Sequence, residues 1–305
     1  MNARRLTLLA SALVLALTGC GSAEPGSSNE QLSVTTSFYP LQHAVEQVGG
    51  DQVQVTNLTR AGGEPHDLEL SPKQLLQASR GDALVYLKGF QPSVDDAAAQ
   101  AGDRAFDVSP AARMDLESVG DEDGGHEGHD HGRIDPHFWL DPTRYADVVD
   151  AIAERLATID PDNAADYRAR AADFTGQLTG LDKDLRAGLK DCRNRDLVTG
   201  HSAFAYFADR YGFHQESVSG LTPGAEPSPT ALAELIAHIK DEKIATVYTE
   251  TLVPRDLADT IARDSGAEVA VLDPLEGLTP ESAGSNYIEV MRSNLATVRT
   301  GQGCR

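Results

Sequence analysis

Residues 162–191 read DNAADYRARAADFTGQLTGLDKDLRAGLKD, and this stretch indicates how the chain is divided into domains. It contains three glycines but no proline, so helical character continues along its whole length. At 1.5 Å per residue, about 30 helical residues make a rod about 45 Å long. A helix of that length is too long for a small βα unit. The stretch therefore predicts a helix that joins two domains.

Short apolar segments alternate with helical segments on both sides of this rod. Strands are predicted at residues 32–38, 52–58, 82–87 and 104–108 before it, and at 195–199, 214–219, 244–249 and 268–272 after it. Such alternation is typical of a parallel sheet that helices cover on both faces. The expected fold class is α/β. An N-terminal lobe is predicted over residues 31–140, helices including the linking helix over 141–191, and a C-terminal lobe over 192–305.

The N-terminus has the pattern of an export signal. Arg4 and Arg5 precede an apolar run over residues 6–17, which is too short to span a bilayer. The sequence LTGC at residues 17–20 resembles the lipobox of bacterial lipoprotein signal peptides, in which the cysteine is acylated and becomes the first mature residue. We therefore predict a signal peptide over residues 1–19, lipidation of Cys20, a flexible tether over 20–30, and an extracytoplasmic protein anchored to the cell membrane. An ordinary secretory signal is the alternative.

Charge and cysteine count limit the function further. The formal net charge of −21 disfavours nucleic acid as a partner and concentrates cations near the surface. Without Cys20, two cysteines remain, Cys192 and Cys304. In an oxidising compartment a single pair is more often a disulfide than two free thiols, so we predict a bond between them. Two thiolate metal ligands are the weaker alternative, because neither cysteine has a neighbouring ligand in sequence.

Residues 121–142, DEDGGHEGHDHGRIDPHFWLDP, contain four of the nine histidines. Imidazoles at this density with carboxylates between them are typical of metal binding. His126, His129 and His131 lie among glycines and acidic residues, whereas His137 is next to the single tryptophan. Because a glycine-rich chain loses much entropy when it wraps an ion, we interpret the loop at 121–133 as accessory and weakly binding. A solvated loop whose histidines bind nothing is the alternative.

Four residues that are far apart in sequence each lie at a predicted strand-to-helix junction: His66, His137, His201 and Asp273. Ligands in α/β folds bind beyond the carboxyl ends of the strands, so folding could bring these residues into one cleft between the lobes. Three imidazoles and one carboxylate form a tetrahedral set suited to Zn²⁺. Each residue alone is more often a helix cap or a turn residue. The repeated positioning, two residues in each lobe, is what favours a metal site.

Five motifs occur in one order along the chain: GGEPHD at 62–67, DPHFWLDP at 135–142, GHSAFAYFADRYG at 200–212, EPSP at 226–229 and VLDPL at 271–275. Together they resemble the metal-binding lipoprotein family of ABC importers for zinc and manganese, and most of all its zinc branch. The resemblance covers essentially the whole mature chain, and the motifs are specific in combination. It implies two Rossmann-like lobes joined by a long rigid helix, a cation in the cleft between the lobes, and delivery to an integral-membrane permease.

The same resemblance places His66, His137, His201 and Asp273 on the metal positions of the family. The manganese branch commonly has a carboxylate at the third position, and the histidine here favours a borderline metal such as zinc. For the fourth position, Glu64 and Glu250 remain alternative ligands.

The expected function is extracytoplasmic, high-affinity Zn²⁺ binding by a monomer that delivers the ion to an ABC permease and catalyses no reaction. The same fold could instead carry Mn²⁺ or Fe²⁺. An alternative of another class is an exported zinc-dependent hydrolase, with Glu64 or Glu250 as the general base. Against it, the sequence has no His-Glu-x-x-His pair, and four protein ligands would close the coordination sphere. Surface adhesion or metal buffering without a permease is a further possibility.

Overall fold

A computed structural model of the chain describes residues 31–117, 134–221, 223 and 227–305. The predicted signal peptide, Cys20, the tether and the His-rich loop at 121–133 lie outside the described residues. Within the described residues, no helix combines the length and apolarity needed to cross a bilayer.

The first sheet lies in the N-terminal lobe, and its strands are all parallel, in the order β2-β1-β3-β4. Its strands are β1 (Leu32–Thr36), β2 (Val53–Asn57), β3 (Ala83–Tyr86) and β4 (Ala105–Asp107). Val34 and Val85 are fully buried on one face and Leu84 on the other, so the sheet is covered on both sides. The alternation of apolar segments therefore predicted this sheet correctly.

The second sheet repeats this topology in the C-terminal lobe, in the order β6-β5-β7-β8. Its strands are β5 (Asp196–Thr199), β6 (His214–Ser217), β7 (Thr246–Thr249) and β8 (Glu268–Val271). Together the two parallel sheets confirm the predicted α/β class with two Rossmann-like lobes.

Ten α-helices surround the sheets in the described part of the chain. They are α1 (Tyr39–Gly49), α2 (Pro72–Arg80), α3 (Pro92–Ala101), α4 (Ser109–Ala112), α5 (Pro142–Ile159), α6 (Ala164–Leu189), α7 (Ala205–Tyr211), α8 (Pro229–Asp241), α9 (Asp256–Ser265) and α10 (Tyr287–Gly301). Polar caps followed by proline start three of them: Ser71, Asp141 and Ser228 each accept a hydrogen bond from a backbone N–H in the first turn. Helix α3 was not predicted, because its buried face is mostly alanine and gives a weak hydrophobic pattern.

Helix α6 is the predicted rod, and its 26 residues span about 39 Å. A buried stripe recurs every three or four residues along it: Tyr167, Ala171, Phe174, Leu178, Leu181, Leu185 and Leu189. Helix α6 packs against α5, against α1 of the N-terminal lobe and against α10 of the C-terminal lobe. Gly176 and Gly180 face open space, so they leave this packing intact. The long helix therefore joins the lobes, as predicted.

The disulfide between Cys192 and Cys304 is present, which confirms the predicted pairing and excludes the two thiols as metal ligands. It links residues 112 positions apart and ties the C-terminal end of the chain to the segment that follows α6. The disulfide thereby links the C-terminal lobe covalently to the segment at the end of α6.

His43 is buried in an aromatic cluster where α1, α5, α6 and α10 meet. Its ring lies edge-on to Phe174 at 5.2 Å and stacks with Tyr287 at 6.2 Å, and Nδ1 is 3.4 Å from the Tyr145 hydroxyl. Burial lowers the pKa of His43 to about 4. The ring is therefore neutral in the folded protein at pH values where the unfolded chain would bind a proton.

We predict that His43 makes the fold acid-sensitive. Because its pKa is lower in the folded state, its stabilising effect is complete above the unfolded value of 6.5 and is lost as the pH falls towards about 4. Over that range its contribution to the free energy of unfolding should fall by about 2 to 3 kcal/mol. Denaturant unfolding at several pH values, with a chelator present, measures this. His43→Phe is the matched control, since it keeps an aromatic ring that cannot titrate. Equal pH dependence in both proteins would contradict the prediction.

Candidate metal centre

Four loops of the described chain bring one side chain each to a common point in the cleft. His66 lies between β2 and α2, His137 directly precedes the 3-10 turn Phe138–Leu140 before α5, and His201 follows β5 by two residues. Glu276 lies in the loop between β8 and α10. In the described residues, these four form the group whose ligand atoms all lie within 4.8 Å of one another.

The distances within this group match a small tetrahedral ion. Nε2 of His137 is 3.3 Å from Nε2 of His66 and 3.4 Å from Nε2 of His201. Ligands placed about 2.0–2.1 Å from a tetrahedral zinc ion are about 3.3 Å apart. Glu276 Oε1 lies 2.9 Å from the Nε2 atoms of His66 and His137 and 3.1 Å from that of His201. Three nitrogens and one oxygen therefore face one centre.

The site is almost closed to solvent. His137, His201 and Glu276 are at most 1% exposed, and the His66 side chain is 10% exposed. The Phe90 ring lies edge-on to His66 at 4.7 Å, and the Trp139 ring lies 5.1 Å from His137. Apolar rings around buried ligands lower the local dielectric and strengthen the attraction between the carboxylate and any bound cation.

The pKa values of Glu276, His201 and His137 are shifted by their neighbours. Burial alone would raise the pKa of Glu276, but His201 and His66 hold it well below its usual value. Burial lowers the pKa of His201, but the charges of Glu250 and Glu276 outweigh it and raise that pKa to about 10. For His137, Asp135 and Glu276 likewise outweigh burial and raise the pKa. Without a cation, the carboxylate of Glu276 is therefore paired with imidazoles that retain protons.

The carboxylate in this group is not the predicted Asp273. Asp273 accepts hydrogen bonds from Leu275 N at 2.8 Å and from the Ser282 hydroxyl at 3.2 Å, so it orders its own loop. Burial raises the pKa of Asp273 to about 6. Leu275 has a left-handed φ of 59°, which turns the chain and directs the longer Glu276 side chain to the centre. Sequence reasoning missed Glu276, although it lies in the same loop three residues after Asp273.

The two alternative ligands also lie outside the group, and each contacts one of its histidines. Glu64 accepts hydrogen bonds from the backbone N–H groups of His66 and Asp67. Glu250 contacts both the backbone N–H and Nδ1 of His201. The structure thus brings His66, His137 and His201 together, with Glu276 as the fourth member and Glu64 and Glu250 as neighbours.

The chain is similar over most of its length to known zinc-binding proteins. The profile of a family described as "Zinc-uptake complex component A periplasmic" matches residues 34–301. The zinc-binding lipoprotein AdcA of Streptococcus pneumoniae serotype 4 (strain ATCC BAA-334 / TIGR4) is 37% identical over an alignment of 303 residues that covers 96% of this chain and 60% of that protein. This chain therefore spans about 60% of the length of that relative.

A shorter relative and a solved structure give the same result. The high-affinity zinc uptake system protein ZnuA of Bacillus subtilis (strain 168) is 33% identical over an alignment of 307 residues that covers 94% of this chain and 94% of that protein. The crystal structure of Zn(II)-bound AdcA from Streptococcus pneumoniae superposes with a TM-score of 0.75 at 34% identity and covers 89% of this chain and 58% of that one. With the profile match over most of its length, this chain belongs to the zinc-uptake component A (ZnuA) family.

Proposed function

We propose that this protein binds Zn²⁺ outside the cytoplasm with high affinity and delivers it to the permease of an ABC importer. The observation that carries the proposal is the four-membered group of His66, His137, His201 and Glu276, with nitrogen separations that fit tetrahedral zinc. The relatives named as zinc-binding and zinc-uptake proteins support the same cargo.

The donor set favours zinc over harder cations. Imidazole nitrogen suits zinc, whereas Mn²⁺ and Mg²⁺ prefer carboxylate, carbonyl and water oxygens. Four protein ligands would also complete a tetrahedral shell, and a catalytic zinc needs an open position for water or substrate. We therefore infer binding and release of the ion, without catalysis.

The division of the chain follows from the same proposal. We propose an N-terminal lobe over residues 31–140 that supplies His66 and His137, and a C-terminal lobe over 192–305 that supplies His201 and Glu276. The helices of residues 141–191 hold the two pairs at a fixed separation. A monomer then contains the complete site.

We further propose that the protein is anchored to the membrane through a lipid on Cys20. The LTGC sequence at residues 17–20 and the relative named as a lipoprotein support this location. A tether over residues 20–30 would let the folded lobes reach a permease in the same membrane.

Replacement of single ligands should identify the fourth one. His66→Ala, His137→Ala and His201→Ala each remove one ligand atom, and Glu276→Gln replaces the anionic ligand by a neutral amide. We expect each to weaken Zn²⁺ binding by more than about 100-fold. Titration against a competing chelator measures the change. Asp273→Asn is the matched control: it lies in the same loop as Glu276, and its amide oxygen can still accept from Leu275 N. We expect the control to stay within about tenfold of the wild type. Equal losses in Asp273→Asn and Glu276→Gln would place Asp273 at the ion instead.

Zinc affinity should rise with pH well beyond the usual titration range of histidine. Because the pKa of His201 is raised to about 10 and that of His137 is also raised, binding must displace protons at neutral pH. The apparent association constant should increase about tenfold per pH unit for each proton displaced. Calorimetry in buffers of different ionisation enthalpy counts those protons. An affinity that is constant above pH 7, with no proton release, would contradict the prediction.

The His-rich loop at residues 121–133 is proposed as an accessory collector of zinc through His126, His129 and His131. A bridge between Glu117 and Ile134 holds the two flanks of this loop together, three residues before His137. Deletion of residues 121–132 should remove weak secondary binding and leave one tight site. Calorimetric titration of both proteins with Zn²⁺ counts the sites. Loss of the tight site on deletion would refute this division of roles.

A further inference from the structure

Two buried carboxylates lie behind the imidazoles of the site, on the side away from the common centre. Asp135 Oδ1 is 2.7 Å from Nδ1 of His137 and accepts from the His137 backbone N–H, also at 2.7 Å. Glu250 Oε2 is 2.6 Å from Nδ1 of His201, and its Oε1 accepts from the His201 backbone N–H at 3.0 Å. The two side chains are at most 2% exposed.

We propose that Asp135 and Glu250 are positioning residues that fix His137 and His201 in the tautomer able to bind metal. An ionised carboxylate only accepts hydrogen bonds, so a ring nitrogen in contact with it must carry the proton. In the metal-free protein Nε2 also faces a carboxylate, that of Glu276. Once an ion displaces the Nε2 proton, the remaining proton is held on Nδ1 and the lone pair of Nε2 faces the ion. This inference rests on the proposed zinc site and adds that its affinity depends on two carboxylates that do not touch the ion.

The fold places both carboxylates at defined positions. Glu250 directly follows β7, which neighbours β5, the strand that leads to His201. Gly200 leaves room for it, since a Cβ at that position would lie 2.7 Å from Glu250 Oε1. Asp135 lies two residues before His137, and one of its oxygens bonds both the backbone and the ring of that residue.

His66 supplies a natural comparison. Glu64 occupies the equivalent position two residues before it, and its Oε1 accepts from the His66 backbone N–H at 2.7 Å. Its other oxygen accepts from Asp67 N at 3.1 Å, and the His66 Nε2 is 4.0 Å from Oε1. Glu64 therefore orders the loop around His66 without controlling its ring.

The two positioning carboxylates use their oxygens differently, and this difference separates tautomer control from a general effect of charge. Among the described residues Asp135 Oδ2 has no hydrogen-bond partner, so Asp135→Asn can keep both bonds through one amide oxygen. Glu250 uses both oxygens, and Glu250→Gln has one acceptor for two N–H groups. If the amide NH₂ of this variant faces Nδ1 of His201, Nδ1 must accept the hydrogen bond. The ring proton must then lie on Nε2, which blocks metal binding.

The test compares Zn²⁺ affinity in the full chain carrying Glu250→Gln, Asp135→Asn, Asp135→Ala or Glu64→Gln, by competition with a chelator. We expect losses of about 10- to 100-fold for Glu250→Gln and Asp135→Ala, and less than about tenfold for Asp135→Asn and Glu64→Gln. In ¹H–¹⁵N NMR of the zinc-loaded protein, the Nδ1–H signal of His201 should shift or disappear in Glu250→Gln, whereas that of His137 should persist in Asp135→Asn. Thermal unfolding with a chelator present verifies that each variant is folded.

The failures of the two proposals are distinguishable. Wild-type affinity in Glu250→Gln, together with a large loss in His201→Ala, would overturn the positioning role and leave the zinc site standing. Wild-type affinity in His137→Ala and His201→Ala would overturn the site itself. Equal losses in Asp135→Asn and Glu250→Gln would also overturn tautomer control, because charge alone would then matter. If Glu250→Gln does not fold, the pair Asp135→Ala and Asp135→Asn decides, and equal affinities in that pair overturn the inference.

Discussion

The structure depends on the convergence of three imidazole nitrogens and one carboxylate oxygen from loops far apart in sequence. His66 and Glu276 are separated by 210 positions, yet their ligand atoms are 2.9 Å apart. A buried carboxylate without partners would be strongly destabilising, and here the surrounding imidazoles compensate for its desolvation. The two lobes must therefore keep a fixed distance, because separating them would take Glu276 away from His66 and His137, two of its three imidazole partners.

One guanidinium helps to set that distance. Arg210, on the helix that follows His201, donates two hydrogen bonds to Asp182 of α6 at 2.7 and 2.9 Å. It also lies 3.1 Å from Asp141, the N-cap of the helix that follows His137. The guanidinium of Arg210 thus links α6 both to α7, which follows His201, and to α5, which follows His137. Because the rod in turn packs on both lobes, we infer a site that changes little in shape when the ion enters or leaves.

The fold could be predicted from the sequence because its signals are local. Apolar strands and Ser-Pro or Asp-Pro helix starts need no knowledge of distant residues. The three histidines of the candidate site could be found for a related reason, since parallel strands bring their carboxyl ends to one edge. The choice between Asp273 and Glu276 could not be predicted from the sequence. It depends on the left-handed backbone at Leu275 and on the hydrogen bond from Leu275 N to Asp273. Glu250 was recognised as a candidate, but its position behind His201 is set by strand pairing that spacing does not reveal.

The carboxylates around the centre have different roles that follow from their distance to it. Glu276 faces the three Nε2 atoms, while Asp135 and Glu250 face the opposite sides of two rings. All three are buried, so each would be unfavourable in the absence of positive charge. A dication at the centre would compensate for all of them at once, directly for Glu276 and through polarised imidazoles for the other two. In the proposed zinc complex, the ion would take over from the imidazole protons that compensate for these carboxylates in the metal-free protein, so metal binding and proton release at the cleft are coupled.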